Sequence, residues 1–178
     1  QKLILATGSR PFIPSLKGLD GVDYLTTDRF FDLKEIPDHL VIIGGGVIGV
    51  EMAFAMRPLG AEVSLLEVAD DILLSEDEEA RAIIKAKLEA MGIDLEVKAD
   101  IQEVQKDSVQ TGSKTYEFDQ VLLATGRQAN LDLAQDLGLA LTGDGRFVQV
   151  DSYYRTSQAH IYAIGDLVDS AQLAHVAS

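Results

Sequence analysis

The run Leu40-Val41-Ile42-Ile43-Gly44-Gly45-Gly46-Val47-Ile48-Gly49 constrains this chain more than any other stretch. It spells GxGxxG between an apolar strand and an apolar helix, and Glu67 follows eighteen residues after the last glycine. Each glycine has a physical task in such a turn. Gly44 permits the tight bend from strand to helix, Gly46 lets the main chain approach a pyrophosphate, and Gly49 lets the helix pack close to the strand. The pattern reads as a dinucleotide-binding turn. The phosphates belong at the helix N-terminus, where unpaired N–H groups and the positive end of the dipole favour an anion. Glu67 closes the run 62–67 and is placed to accept hydrogen bonds from a ribose diol. The alternative, a close turn with no nucleotide, is set aside because strand, helix and acid all stand where the motif requires them.

Composition narrows the function classes. With 178 residues, 47 % of them apolar, the chain can bury a core of one domain or of one domain with attached pieces of another. The longest apolar stretch, 40–50, is interrupted by glycines and closed by Glu51, short of the roughly 18 residues of a membrane span. The formal charge of −14 opposes binding to nucleic-acid phosphate or anionic lipid. Six acids lie between Asp70 and Glu79 with no Lys or Arg from Pro58 to Ala80, which reads as a solvated loop and helix start. With no cysteine, thiolate metal sites, disulfides and thiol nucleophiles are excluded within these residues, and a cytoplasmic location is the default expectation. No metal site is expected. Gln1 opens directly on a strand-like run and Ser178 closes inside the helix-compatible apolar segment 171–177, so the chain reads as an internal piece.

The piece carries a partial echo. Leu3-Ile4-Leu5-Ala6-Thr7-Gly8 recurs as Val121-Leu122-Leu123-Ala124-Thr125-Gly126, and a third strand end of similar kind is Ile161-Tyr162-Ala163-Ile164-Gly165-Asp166. Such ends suit buried parallel strands whose tips come close to a ligand. The segment 10–21, with two prolines and two glycines, reads as an extended connector. Thr26 or Thr27 is expected to cap a short helix through Leu33. The helix opened by the glycine turn, mostly buried, should end at Pro58 and Gly60. Ser75 and Glu78 are expected to form a capping box ahead of a second helix that stops at Gly92. From Leu95 to Phe118 short apolar segments alternate with turn residues, which predicts antiparallel strands, a β-meander where a third crossover helix would otherwise stand.

These residues resemble the flavin-dependent pyridine nucleotide–disulfide oxidoreductases, and within them the dihydrolipoamide dehydrogenase branch. The resemblance covers nearly the whole chain. It rests on Ala6-Thr7-Gly8-Ser9-Arg10-Pro11 with Pro14, Gly44 to Gly49 with Glu51, Glu67, Ala124-Thr125-Gly126-Arg127, Ile161 to Asp166, and Leu173-Ala174-His175. It implies a Rossmann-like α/β fold in three layers, ββα, with a parallel sheet and a β-meander crossover, flanked by FAD-domain segments. It divides the chain into 1–9 as the end of a first FAD-domain segment, 10–126 as the NAD-binding domain, and 127–178 as the returning FAD-domain segment. It implies NAD contacts at Gly44, Gly45, Gly46, Val47, Ile48, Gly49, Val50, Glu51, Glu67, Ile101 and Gly126. For FAD it implies Thr7, Gly8, Ser9, Asp166, Gln172, Leu173, Ala174 and His175. The family commonly has a proline before the asparagine that follows Gly126-Arg127, whereas Gln128-Ala129-Asn130 stands here.

The carboxylate of Glu67 favours NAD over NADP, because it would repel a 2′-phosphate and neither Val68 nor Ala69 supplies a cation. The implied activity passes electrons between a dithiol or disulfide, FAD and NAD in a parent expected to be a homodimer. No catalytic residue is expected in this chain, and without the redox cysteines it should not turn over alone. Two other readings stay open on the residues. One is a relative with another acceptor: a mercuric, low-molecular-weight disulfide or coenzyme A disulfide reductase, or an NADH oxidase. The other is a non-catalytic NADH-binding module, against which Gly165-Asp166 and the strand echo weigh.

Overall fold

A computed structural model describes residues 1–170 together with Gln172 and Leu173. The strands and helices in chain order are β1 (Leu3–Leu5), β2 (Ser9–Pro11), β3 (Leu25–Thr26), α1 (Thr27–Phe30), β4 (His39–Ile43), α2 (Val47–Met56), β5 (Glu62–Glu67), α3 (Glu78–Ala90), β6 (Asp94–Val97), β7 (Ile101–Val104), β8 (Ser108–Thr111), β9 (Thr115–Glu117), β10 (Gln120–Leu123), β11 (Arg127–Ala129), α4 (Asp132–Asp136) and β12 (Ile161–Ala163). They fall into two units, Pro11–Gly126 and Gln1–Arg10 with Arg127–Ser178.

The unit 11–126 is built on a five-stranded parallel sheet in the order β3-β10-β4-β5-β6. Strand β4 is apolar at successive positions because both of its faces are covered. Leu40 and Ile42 point into a core shared with Val50, Ala53 and Met56 of α2 and Leu88 of α3. Val41 and Ile43 point the other way, into a second core with Val104, Val109 and Tyr116 of the meander. The alternation repeats in β10, where Leu122 faces the helices and Val121 and Leu123 face the meander. The order of layers is therefore meander, parallel sheet, helices, the expected ββα sandwich.

Several local expectations are corrected. Leu95 and Val97 do not begin the meander; β6 runs parallel to β5, and the antiparallel part is β7-β8-β9 alone. Helix α3 is capped by Asp77, whose carboxylate accepts from the Glu79 amide at 2.9 Å, while Ser75 donates to Glu76 instead of forming a capping box. A carboxylate two residues closer to the helix outcompetes the serine for the free amides. Gly92 ends α3 as expected, at φ 73°. Helix α1 stops at Phe30, which is buried, and does not extend to Leu33. Helix α2 is buried on one side only: Val47, Glu51 and Ala55, four residues apart, form an exposed line. The connector 10–21 is not wholly extended, since Leu19–Gly21 makes a 3-10 turn that buries Leu19.

The meander is stapled to the sheet edge by a polar cluster. Tyr116 donates to Glu96 at 2.5 Å, Ser113 donates to the same oxygen at 2.8 Å, and Lys114 pairs with Asp94 at 2.6 Å. Burial, then the neighbouring Glu96, push the Tyr116 hydroxyl well above its ordinary range.

In the other unit, β1 and β12 form a two-stranded parallel sheet with Leu3 opposite Ile161 and Leu5 opposite Ala163. β11 pairs with β2. Leu5, Ile161, Ala163 and Leu167 share a core with Ala134, Leu139 and Val148. Of the apolar segment 171–177, only Gln172 and Leu173 are described, both exposed. Among the described residues no helix is long and apolar enough to cross a membrane.

Candidate functional site

In the unit 11–126, β5 and β10 flank β4 on opposite sides, and the chain leaves β4 toward α2 at the point where the strand order reverses. The carboxyl ends of strands at such a switch point form a crevice in open α/β sheets. The crevice here holds about 390 Å³ and is lined by Ile43, Gly44, Gly46, Val47 and Ile48 from β4 and α2, Leu66, Glu67 and Val68 from β5, and Ala124, Thr125 and Gly126 beyond β10.

The glycines divide the work as their positions require. Gly44 sits at φ 116°, and a Cβ there would stand 2.4 Å from the Ala124 carbonyl oxygen. A Cβ at Gly49 would stand 1.9 Å from the Gly44 oxygen, so the helix can approach the strand end only without a side chain. A Cβ on Gly46 would meet nothing within 4 Å. Space, not packing, lies over that residue. Among the described residues no side chain caps α2, whose leading N–H groups stand at the crevice and favour an anion.

Among the described residues Glu67 is the crevice's single charged side chain. Its two oxygens are already engaged: Oε2 accepts from the Gly45 amide at 2.6 Å and Oε1 from the Ala69 amide at 2.7 Å. A carboxylate has about four lone-pair sites, so acceptor capacity remains beyond these two bonds. Its side chain also explains Gly45, since a Cβ there would lie 2.9 Å from Glu67 Cβ and 2.8 Å from Ile72 Cγ2.

The other sequence-predicted residues of this unit lie as follows. Val50 is buried in the helix-side core. Glu51 is exposed on α2. Ile101 opens β7, packs against the meander-side core and lines no part of the crevice. The apolar lining of Ile43, Leu66 and Val68 was not singled out from sequence, and neither were Ala124 and Thr125 as lining. The sequence echo marks the last two as part of a strand tip that comes close to a ligand, without naming them as contacts. Thr125 hydroxyl donates to the Phe12 carbonyl at 2.7 Å and the Phe12 amide returns a bond to the Gly126 carbonyl at 2.9 Å, so the hydroxyl fastens the beginning of the connector.

The other unit assembles a second polar group. Ser9 hydroxyl donates to Asp166 at 2.5 Å, and Arg127 donates to the Ser9 hydroxyl at 2.7 Å and to its carbonyl at 2.8 Å. Thr7 donates to the Asn130 carbonyl at 3.0 Å and the Asn130 amide donates to the Gly8 carbonyl at 2.9 Å, the same pair of bonds that Thr125 and Gly126 make with Phe12. Gln172 and Leu173 are exposed; Ala174 and His175 lie outside the described residues. Among the described residues no group of three or more His, Cys, Asp or Glu is placed to hold a metal ion.

A model of the pyridine nucleotide-disulphide oxidoreductase family matches residues 1–178. The chain is 35 % identical to dihydrolipoyl dehydrogenase of Bacillus subtilis, over all of this chain and 40 % of that protein. It is 32 % identical to mercuric reductase of Bacillus cereus, over all of this chain and 30 % of that protein. Among solved structures, the HOCl-induced flavoprotein disulfide reductase RclA of Escherichia coli matches with a TM-score of 0.90 at 29 % identity, over 99 % of this chain and 42 % of that one. The chain thus spans less than half the length of these relatives. A glycine turn at the switch point of a ββα sandwich, a carboxylate beside it, and a family match over every residue place the chain in the pyridine nucleotide-disulphide oxidoreductase family.

Proposed function

We propose that this chain is the NAD-binding portion of a flavoprotein that passes electrons between a dithiol or disulfide, FAD and NAD, with residues 10–126 as the NAD domain and 1–9 and 127–178 as FAD-domain segments. Members of the family use FAD and NAD(P). The observation that carries the reading is the crevice over Gly46, open above the glycine and bordered by helix N–H groups and one carboxylate. A diphosphate fits there because no Cβ stands in its way and the α2 dipole favours its charge. Glu67, held by two backbone amides, would present its remaining lone pairs to a ribose diol and repel a 2′-phosphate. In this reading Gly44 to Glu51 and Gly126 border the dinucleotide, Ile101 meets the adenine, and Thr7, Gly8, Ser9, Asp166 and Gln172 to His175 serve FAD.

A bound nicotinamide supplies hydride chemistry; these residues bind and orient it. Dihydrolipoamide is the proposed dithiol, because dihydrolipoyl dehydrogenase of Bacillus subtilis matches at 35 % identity. The mercuric reductase match supports a second reading with the same crevice and another acceptor. A homodimeric, cytoplasmic parent completes the proposal, and the 178 residues alone should not turn over. Fluorescence titration with NADH and NADPH tests the crevice: NADH should bind at least about tenfold more tightly, a difference of about 1.4 kcal/mol. Equal or tighter NADPH binding overturns the role of Glu67. Reduction of NAD⁺ by dihydrolipoamide in the full-length protein, and its absence in the 178 residues with added FAD, tests the rest.

A further inference from the structure

One of the six acids between Asp70 and Glu79 is not a solvated surface charge. Asp71 is partly buried, pairs with Lys85 at 2.9 Å and Arg81 at 3.2 Å on α3, and accepts from the Ile72 amide at 2.9 Å. The next two residues bear on the glycine turn. Ile72 is fully buried, with Cγ2 2.8 Å from where a Gly45 Cβ would stand. Leu73 is held at φ 50°, a left-handed conformation that a branched side chain disfavours, and from there its amide donates to the Gly45 carbonyl at 2.9 Å. Gly45 therefore has its carbonyl held by Leu73 and its amide held by Glu67.

A strained segment persists where its surroundings over-determine it. Helix α3 holds this one through the ion pairs of Asp71 and through the apolar core that Ile72 and Leu73 share with Ile84 and Leu88. The arrangement also leaves Arg81 Nε buried with no hydrogen-bond partner among the described residues, so it stands against a local cost. Lys85, then burial partly opposing it, keeps the Asp71 carboxyl on balance below its ordinary range, and the pairs are charged at neutral pH.

We propose that Asp71 is a positioning residue of the dinucleotide crevice: its pairs with Lys85 and Arg81 fix residues 71–73, which hold Gly45 and so set the turn before a ligand arrives. The part concerning a ligand rests on the proposed NAD reading; the part concerning the turn does not. Preorganisation of this kind acts on affinity by sparing the ligand the cost of ordering the loop.

Hydrogen–deuterium exchange of the full-length protein, read by mass spectrometry, separates the two parts. Asp71→Asn should speed exchange in peptides over 44–49 and 71–74 about tenfold, leave β10 unchanged, and raise the NADH Kd about tenfold. Asp71→Glu should restore both. Unchanged exchange over 44–49, or an equal rise through α3 and β10, overturns the proposal, the second outcome making Asp71 a general stabiliser. If the wild-type protein binds no NADH, the cofactor reading fails, and exchange over 44–49 still decides whether Asp71 holds the turn. Should Asp71→Asn not fold, Lys85→Gln removes the closer pair alone and carries the same exchange test, with a smaller rise expected and no rise overturning the proposal.

Discussion

The glycine turn of the unit 11–126 and the Ser9-Asp166-Arg127 group of the other unit reach polar function by opposite routes. The first is built of main chain. Among the described residues its lining carries no charge apart from Glu67, and its capacity for an anion comes from the leading N–H groups of α2, which no side chain of those residues caps. The second is built of side chains already bonded to one another, Arg127 to Ser9 and Ser9 to Asp166. A main-chain site leaves its donors open to a partner, whereas a side-chain group of this kind commits donors to one another and keeps only its remaining lone pairs for a partner. The paired threonines make the same point. Thr7 and Thr125 look in sequence like ligand-facing hydroxyls, yet each donates to a carbonyl of its own unit, at Asn130 and Phe12.

The contrast breaks most sharply at the glycines. Gly49→Ala should cost about 3–5 kcal/mol in chemical unfolding, since its Cβ would collide with backbone that cannot withdraw. Gly46→Ala should change stability by less than about 1 kcal/mol and still weaken NADH by about tenfold or more, because the new methyl enters only open crevice. Comparable losses of stability at both positions would deny that the turn separates packing from binding. Ser9→Ala comes next. It leaves Asp166 and Arg127 without their shared hydroxyl and should cost about 1–3 kcal/mol by denaturant midpoint with NADH affinity unchanged. A loss of NADH affinity there would erase the distinction between the two groups.

The smallest effect is a pH dependence. The folded Asp71 carboxyl lies below its ordinary 3.8, so its contribution is complete above that value and is lost as the pH falls through the lowered folded value. An acid titration of the thermal midpoint should therefore show a component below about pH 4 that Asp71→Asn removes. A component that persists in the variant belongs to other carboxylates.

How far the residues announced this arrangement depends on the range over which each signal acts. The parallel strand at 40–43, the turn at Gly44 to Gly49 and the meander near 101–117 follow from neighbours along the chain, through apolar runs, glycine geometry and turn residues. The cap of α3 is ambiguous in sequence because Ser75 and Asp77 are both good caps, and only the register of the helix start selects Asp77. Leu95 to Val97 are ambiguous in sequence because a four-residue strand has the same pattern whether its partner is the meander or β5. Asp71 was hidden in an acidic run whose ordinary reading is a solvated face. Its partners Arg81 and Lys85 lie one to two helical turns into α3, beyond the reach of any local motif.

By itself the sequence determined the layers, the glycine turn and the acid beside it, because periodicity and backbone permissiveness are properties of consecutive residues. Tertiary structure alone decided that Glu67 braces Gly45, that Leu73 is held left-handed over the turn, and that the threonines fasten chain within their own units. Those outcomes depend on which distant donors and acceptors meet, and a folded chain rarely leaves a buried polar group without one.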